Sequence, residues 1–256
     1  MGAVKYLLGD ETARLTPDTF VAFCLEHEPE LRHLLETRLV QTNAVPRSLA
    51  LRIGLTRVDA DAVHLVDVGA SAGIHLRVDR FGYIVGGRQF GDPASPVQIE
   101  AELRGDAPLP DLDAIPAIAS ATGVDLAPVD VTDREQRRWL EALVWPESTR
   151  EAELLQAALG VVAGDPPAVL AGDATDVLPA LDVPRPRVVF TAATRMHVPA
   201  ARKEQFDAAV HAFADYWISL EKPAGDGAGI FVLHPDGNEE LVAVAGARVQ
   251  WIEPRA

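Results

Sequence analysis

Hydrophobic positions recur at helical spacing through roughly the first sixty residues and then give way to short, nearly unbroken apolar runs. Thr16 followed by Pro17 predicts a helix start, with Thr16 as cap and Pro17 in the first turn. Phe20, Phe23 and Cys24 then share one face, as do Leu31, Leu34 and Leu35, and Pro29 splits the run into two helices. A further helix is expected at about 45–55. The stretch AVHLVDV at 62–68 is the first convincing strand, apolar enough to be covered on both faces. A glycine-bearing loop and a short helix, IHLRVDRFG, follow it.

PVQIEAELRG alternates and reads as a second strand carrying Glu100 and Glu102 near its end. Residues 105–150 are the least regular and read as a helical insertion. Beyond them an amphipathic helix, the strand PAVLAGDA, a helical turn, the strand RVVFTAA, another helix and the strand WISLEKP alternate. The end of the chain reads as a β-meander with turns at 235–238 and 245–246. Alternation over 62–222 predicts an α/β fold, a doubly wound, Rossmann-like, mostly parallel sheet. The helical segment 1–61 packs on it, and 62–256 forms the main domain. Ligands of such sheets bind beyond the C-terminal strand ends, beside the first strand.

Composition narrows the class. The chain has 256 residues, 48% of them hydrophobic, enough for a substantial core. A net charge of -15 argues against binding a phosphate backbone. Cys24 is the only cysteine, so no intrachain disulfide forms, and a buried apolar role is expected for it. No paired Cys/His spacing suggests zinc, and no apolar run of about 18 residues suggests a membrane span. The first residues are too polar for a signal peptide, so a cytoplasmic protein is expected. The sequence does not indicate an oligomeric state.

The loop DVGASAG, 67–73, supports two chemistries. As G-x-S-x-G it presents Ser71 as the nucleophile of a serine esterase, with Asp173 and then His197, His211 or His234 in suitable order. That reading lacks an upstream strand and loop to complete an oxyanion hole. As the first loop of a cofactor site it asks less: Gly69 turns the chain, Gly73 lets the next element pack close, and Ala70, Ser71 and Ala72 let a ligand approach the backbone. Free N–H groups at the following helix start would face an anion, and Asp67 would accept from a ligand ammonium or orient the loop.

Taken in order, LVDVGASAGIHLRVDRFGY, QTNAVPRS, GDPASPVQIEAELRG, PVDVTDREQRRWLEALVWPE, GDATDVLPAL and RVVFTAATRMHVP resemble an uncharacterised bacterial family, domain of unknown function 2332. The resemblance spans about 3–251. It implies a fold like that of class I S-adenosyl-L-methionine-dependent methyltransferases, S-adenosyl-L-methionine as cofactor and a small-molecule substrate. It further implies cofactor contacts from Asp67, Gly69, Ala70, Ser71 and Gly73, with Ser71 where many of the wider superfamily carry glycine. Asp173, followed by Ala174, matches the acid on the adenine side, and Glu100 or Glu102 the ribose-binding acid. Two departures stand out: His75-Leu76 stands where members usually read Asn-Leu, and Thr191-Ala192 stands where they carry both a histidine and a serine. Members also tend to carry more helical sequence ahead of this region, from which a more open pocket is expected here.

Other residues have two readings each. Gln41, Thr42, Asn43 and Arg47 either fold over the pocket or end and cap a helix. Asp79-Arg80 reads as an ion pair, and Tyr83 as packed on the sheet. Trp145 to Glu147 reads as a buried tryptophan before a helix break, or as a pocket wall. His197, just past the RVVFTAA strand, is a candidate general base or a surface histidine. His27 and His33 read as a solvated helix face.

Overall fold

The computed structural model describes residues 1–255. Its centre is a sheet in the order β3-β2-β4-β11-β10-β9-β8-β7-β1-β5-β6. The strands are β1 (Ala62–Val68), β2 (Gly82–Val85), β3 (Arg88–Gly91), β4 (Gln98–Leu103), β5 (Ala117–Asp125), β6 (Ala168–Ala171), β7 (Arg187–Ala192), β8 (Tyr216–Ala224), β9 (Gly227–Leu233), β10 (Glu239–Ala245) and β11 (Trp251–Pro254). The helices are α1 (Gly2–Leu8), α2 (Pro17–Glu26), α3 (Glu28–Thr37), α4 (Arg47–Leu55), α5 (Arg134–Leu143), α6 (Thr149–Gly164), α7 (Ala174–Ala180) and α8 (Lys203–Phe213).

β6, β5, β1, β7 and β8 run parallel, with β1 in the middle. That is the doubly wound order the alternation predicts, and it makes the C-terminal end of β1 the switch point. β9, β10 and β11 continue antiparallel as the expected meander. The β2–β3 hairpin and β4 extend the far edge.

Each sheet face is covered by a different set of helices. In α4 residues 48–55 are all buried, the polar Ser48 and Arg52 included, so the helix is enclosed in the core. With α6 it covers Val63 and Leu65 of β1 and Phe190 of β7. α4 lies so close to the sheet that a Cβ on Gly54 would sit 2.4 Å from Ile218 of β8. α7 and α8 cover the other face, around Val66, Val68 and Val189. Alternation along β1 therefore sends Asp67 to the α4 side. α1, α3 and α5 form a satellite cluster around Tyr6, Leu31, Leu34 and Trp139. Cys24 is half-buried at the margin of that cluster rather than fully enclosed.

Three expectations are corrected. Residues 105–150 are not merely a helical insertion: they contain β5, the strand directly beside β1. The strand bearing Glu100 and Glu102 is not β1's neighbour, because β11, β10, β9, β8 and β7 lie between β4 and β1. The short helix after the glycine loop is a 3₁₀ stretch, Ile74–Arg80, interrupted at Arg77.

Candidate functional site at the C-terminal end of the central strand

β1 ends in Asp67-Val68 and the chain turns at Gly69, with φ 86°. Only glycine suits that turn: the conformation is left-handed, and a Cβ there would lie 2.3 Å from Thr194 Oγ1. Ser71 also has positive φ, 48°, and Gly73 follows at 70°. A non-glycine residue held in this region marks a loop fixed by its surroundings.

Those surroundings are a set of polar locks. Gly69 and Ala70 donate their N–H groups to the Val124 carbonyl at 2.8 and 3.3 Å, and Gly73 donates to the Ala70 carbonyl at 2.7 Å. The Ser71 N–H donates to Asp125 Oδ2 at 2.8 Å. Asp125 Oδ1 accepts from the Ala127 N–H at 2.8 Å and from Gln41 Nε2 at 3.3 Å. Asn43 Nδ2 donates to Ser71 Oγ at 3.1 Å. Thr194 Oγ1 donates to the Val68 carbonyl at 2.9 Å. Residues 41–43 thus form a strap across the loop, as one of their two readings anticipates.

One group is left out of this network. Asp67 is 1% exposed, and its Oδ2 is enclosed with no hydrogen-bond partner among the described residues. Burial, and then the charge of Asp125, push the Asp67 carboxyl up to about 8. An enclosed carboxylate without a donor is strongly disfavoured, so the group stays protonated until a cation or donor reaches it.

Beside it, on the α4 side, lie Arg47, Ser48 and His75. The His75 Nδ1 and Ser48 Oγ share a hydrogen bond of 2.9 Å, and the imidazole stands edge-on to Phe190 at 5.4 Å. Burial, and then the Arg47 charge, pull His75 down to about 3, so the ring is neutral. Arg47 donates through Nη1 to the Ala192 carbonyl at 3.4 Å, at the end of β7. Glu221 Oε1 accepts from the N–H groups of Thr194 and Arg195 at 2.9 and 3.1 Å. Burial raises the Glu221 pKa despite those donors.

The structure brings together Asp67, Gly69, Ala70, Ser71 and Gly73, and puts Asp173 and Ala174 at the end of β6 on the same edge of the sheet. Asp173 caps α7: it accepts from Thr175 N–H at 2.9 Å and from Arg202 at 2.8 Å. The Thr175 hydroxyl is the main cause that lowers its pKa. Ala174 packs in the apolar cluster under α7 and α8.

Glu100 and Glu102 do not belong to this site. Glu100 pairs with Arg150, and both glutamates line a separate cavity of about 890 Å³ with Glu147, Glu151 and Arg248. The strand that ends beside β1 carries Asp125, so Asp125 holds the position expected of Glu100 or Glu102. His197 lies exposed on the turn after β7, and its side chain has no hydrogen-bond partner among the described residues. Ser71 meets Asn43 and no histidine, so the base an esterase needs is not in place. Trp145 is 55% exposed rather than buried, whereas Tyr83 packs in the core and Asp79 pairs with Arg80 at 3.4 Å, as read.

The residues match an adenosyl amino acid in one respect and not in another. Asp67 offers an enclosed acceptor for an ammonium. The loop amides of residues 69, 70, 71 and 73 do not offer an anion cradle, because each already has an acceptor. The 3₁₀ stretch after Gly73 supplies no regular helix start in their place. Among the described residues no group of His, Cys, Asp and Glu is arranged to hold a metal ion, and no helix is long and apolar enough to cross a membrane.

Fold and site together define a doubly wound α/β protein with a buried polar centre at its switch point. The chain belongs to the family described as "Uncharacterized protein conserved in bacteria (DUF2332)", whose model matches residues 6–253. No curated protein matches it in sequence. Among solved structures it is similar to SAM-bound CalS10, an amino pentose methyltransferase from Micromonospora echinaspora involved in calicheamicin biosynthesis. That match has a TM-score of 0.31 and 14% identity over 76% of this chain and 72% of the other. The DhpI-SAM-HEP complex gives a TM-score of 0.29 at 14% identity, covering 93% and 79%. Likeness at this level carries no argument about chemistry, and the fold assignment rests on the strand order itself.

Proposed function

We propose that this chain is an S-adenosyl-L-methionine-binding, methyltransferase-like protein acting on a small molecule. The observation that carries the reading is Asp67: an enclosed carboxyl without a donor, at the end of the central strand, where doubly wound sheets receive ligands. Asp125 on the next strand and Asp173 on the one after it follow in the order that ribose-side and adenine-side acids would take. When bound, the cofactor would supply a methyl group on an activated sulfonium, open to in-line displacement. The chain's own part is to hold and orient: Asp67 receives the ammonium, the strap at Gln41 and Asn43 restricts water at the loop, and the rigid loop limits motion of whatever lies on it. Calorimetry with S-adenosylhomocysteine tests the reading. Binding in the micromolar range is expected, and no heat at millimolar ligand would remove it.

One observation favours a second reading, a ligand-binding member that has lost chemistry. The buried Thr191 hydroxyl is taken up by Trp217 Nε1, from which it accepts at 3.0 Å, and by Glu221, and Ala192 offers no polar side chain at the end of β7. Methyl transfer to any acceptor would exclude this reading.

A further inference from the structure

A ligand with an α-amino-acid end brings a carboxylate as well as an ammonium, and the glycine-loop amides of residues 69, 70, 71 and 73 are already taken. We infer that Arg47 is its receptor, so that Arg47 and Asp67 together form a two-point site for an α-amino-acid headgroup. The inference rests on the proposed cofactor reading and deepens it, by assigning the carboxylate to the first residue of α4 rather than to the loop backbone.

Four observations converge on Arg47. Its guanidinium makes a single hydrogen bond, the 3.4 Å contact to the Ala192 carbonyl, and no ion pair among the described residues. A guanidinium carries five N–H donors in a planar fork that suits a carboxylate, so most of that capacity is free. The nearest acid that acts on it, Glu221, is engaged by two backbone N–H groups and does not pair with it. The neighbouring imidazole, His75, is held by Ser48 and Phe190 and adds no competing charge.

Position completes the case. Asp67 lies level with Phe190 in the sheet register, and Ala192 is two residues further along β7 on the same side. That places the Arg47 contact about 7 Å beyond Asp67 along the strand. Two charge-assisted hydrogen bonds of about 2.8 Å with an α-carbon unit between them span a similar distance. The ligand end therefore meets a cation and a carboxyl in the right order, without calling on the occupied amides. The burial that lowers the Arg47 pKa also strengthens its attraction for a carboxylate.

The test compares two probes by calorimetry: S-adenosylhomocysteine and its decarboxylated analogue, which keeps the nucleoside, thioether and ammonium. Wild type is expected to prefer the first, on the order of 10- to 100-fold. Arg47→Met should abolish that preference while binding the decarboxylated probe as wild type does, which also reports that the variant is folded. Arg47→Lys should restore part of it. Wild-type binding of both probes with equal affinity would overturn this inference and leave the cofactor reading intact, and needs no variant. Equal weakening of both probes in Arg47→Met would overturn it too. Absence of binding to either probe would remove the cofactor reading and the inference with it.

Discussion

The two ends of this sheet hold their charged groups in opposite ways. Around β4 lies a cavity of about 890 Å³, and its charges satisfy one another at the surface: Glu100 with Arg150, and Glu151 with Arg248 at 2.7 Å. At the end of β1, by contrast, a buried carboxyl without a donor, a half-buried guanidinium with one hydrogen bond and a neutral imidazole gather near the glycine loop. The contrast teaches that volume alone is a poor guide to a site. Exposed ion pairs contribute little and ask for nothing, whereas an enclosed group without a partner carries a free-energy cost that a ligand can relieve.

Breaking the first side of the contrast should have the largest effect. Asp67→Asn keeps shape but removes the charge that an ammonium would meet. A loss of roughly 100-fold in affinity for S-adenosylhomocysteine is expected by calorimetry, in line with about 2–3 kcal/mol for a charged hydrogen bond. Next comes the loop. Gly69→Ala combines positive φ with a Cβ against Thr194, and should cost about 1–3 kcal/mol in urea unfolding.

The pH dependence of stability sharpens the comparison further, because two groups oppose one another. Asp67 is protonated in the folded chain up to about pH 8 but ionised in the unfolded chain above about pH 4, so between these values the folded state binds the extra proton and stability falls as pH rises. His75 is neutral in the folded chain above about pH 3 but protonated in the unfolded chain below about pH 6.5, so stability rises with pH over that interval. From about pH 4 to 6.5 the two slopes oppose one another, and the raised Glu221 carboxyl adds to the fall. From 6.5 to 8 only the Asp67 contribution remains, a fall of about 1.4 kcal/mol per pH unit that Asp67→Asn should abolish. Denaturant titrations at several pH values would read this directly; a stability that climbs from pH 6.5 to 8 would contradict it. On the other end of the sheet the smallest effect is expected. Glu100→Gln removes one exposed ion pair and should change stability by less than about 1 kcal/mol, with no change in nucleoside binding.

Much of this architecture is legible in the residues, and the exceptions share a cause. AVHLVDV, RVVFTAA and WISLEKP are apolar enough to declare themselves strands, and the glycines after β1 mark the turn that the positive φ values require. β5, AIASATGVD, is built from small residues, and much of its length lies exposed or half-exposed, so it shows neither an apolar run nor alternation. β4 shows clean alternation because one of its faces is solvated, and it therefore stands out as a strand although it lies far from β1. Asp125 is hidden for the same reason as its strand. Arg47 and Asn43 are visible as a polar stretch between apolar runs, but their destination depends on how α4 docks, which no local pattern records. The roles of His75 and Glu221 depend likewise on contacts distant in sequence, with Ser48 and with the turn after β7.

The central claim is that Asp67 stands protonated and partnerless until a cation reaches it. It is tested most directly by measuring the heat of S-adenosylhomocysteine binding at pH 7 in buffers of different ionisation enthalpy. The account predicts release of close to one proton per ligand bound by wild type, and none by Asp67→Asn. Binding that releases no proton, or releases the same amount from both proteins, would contradict it.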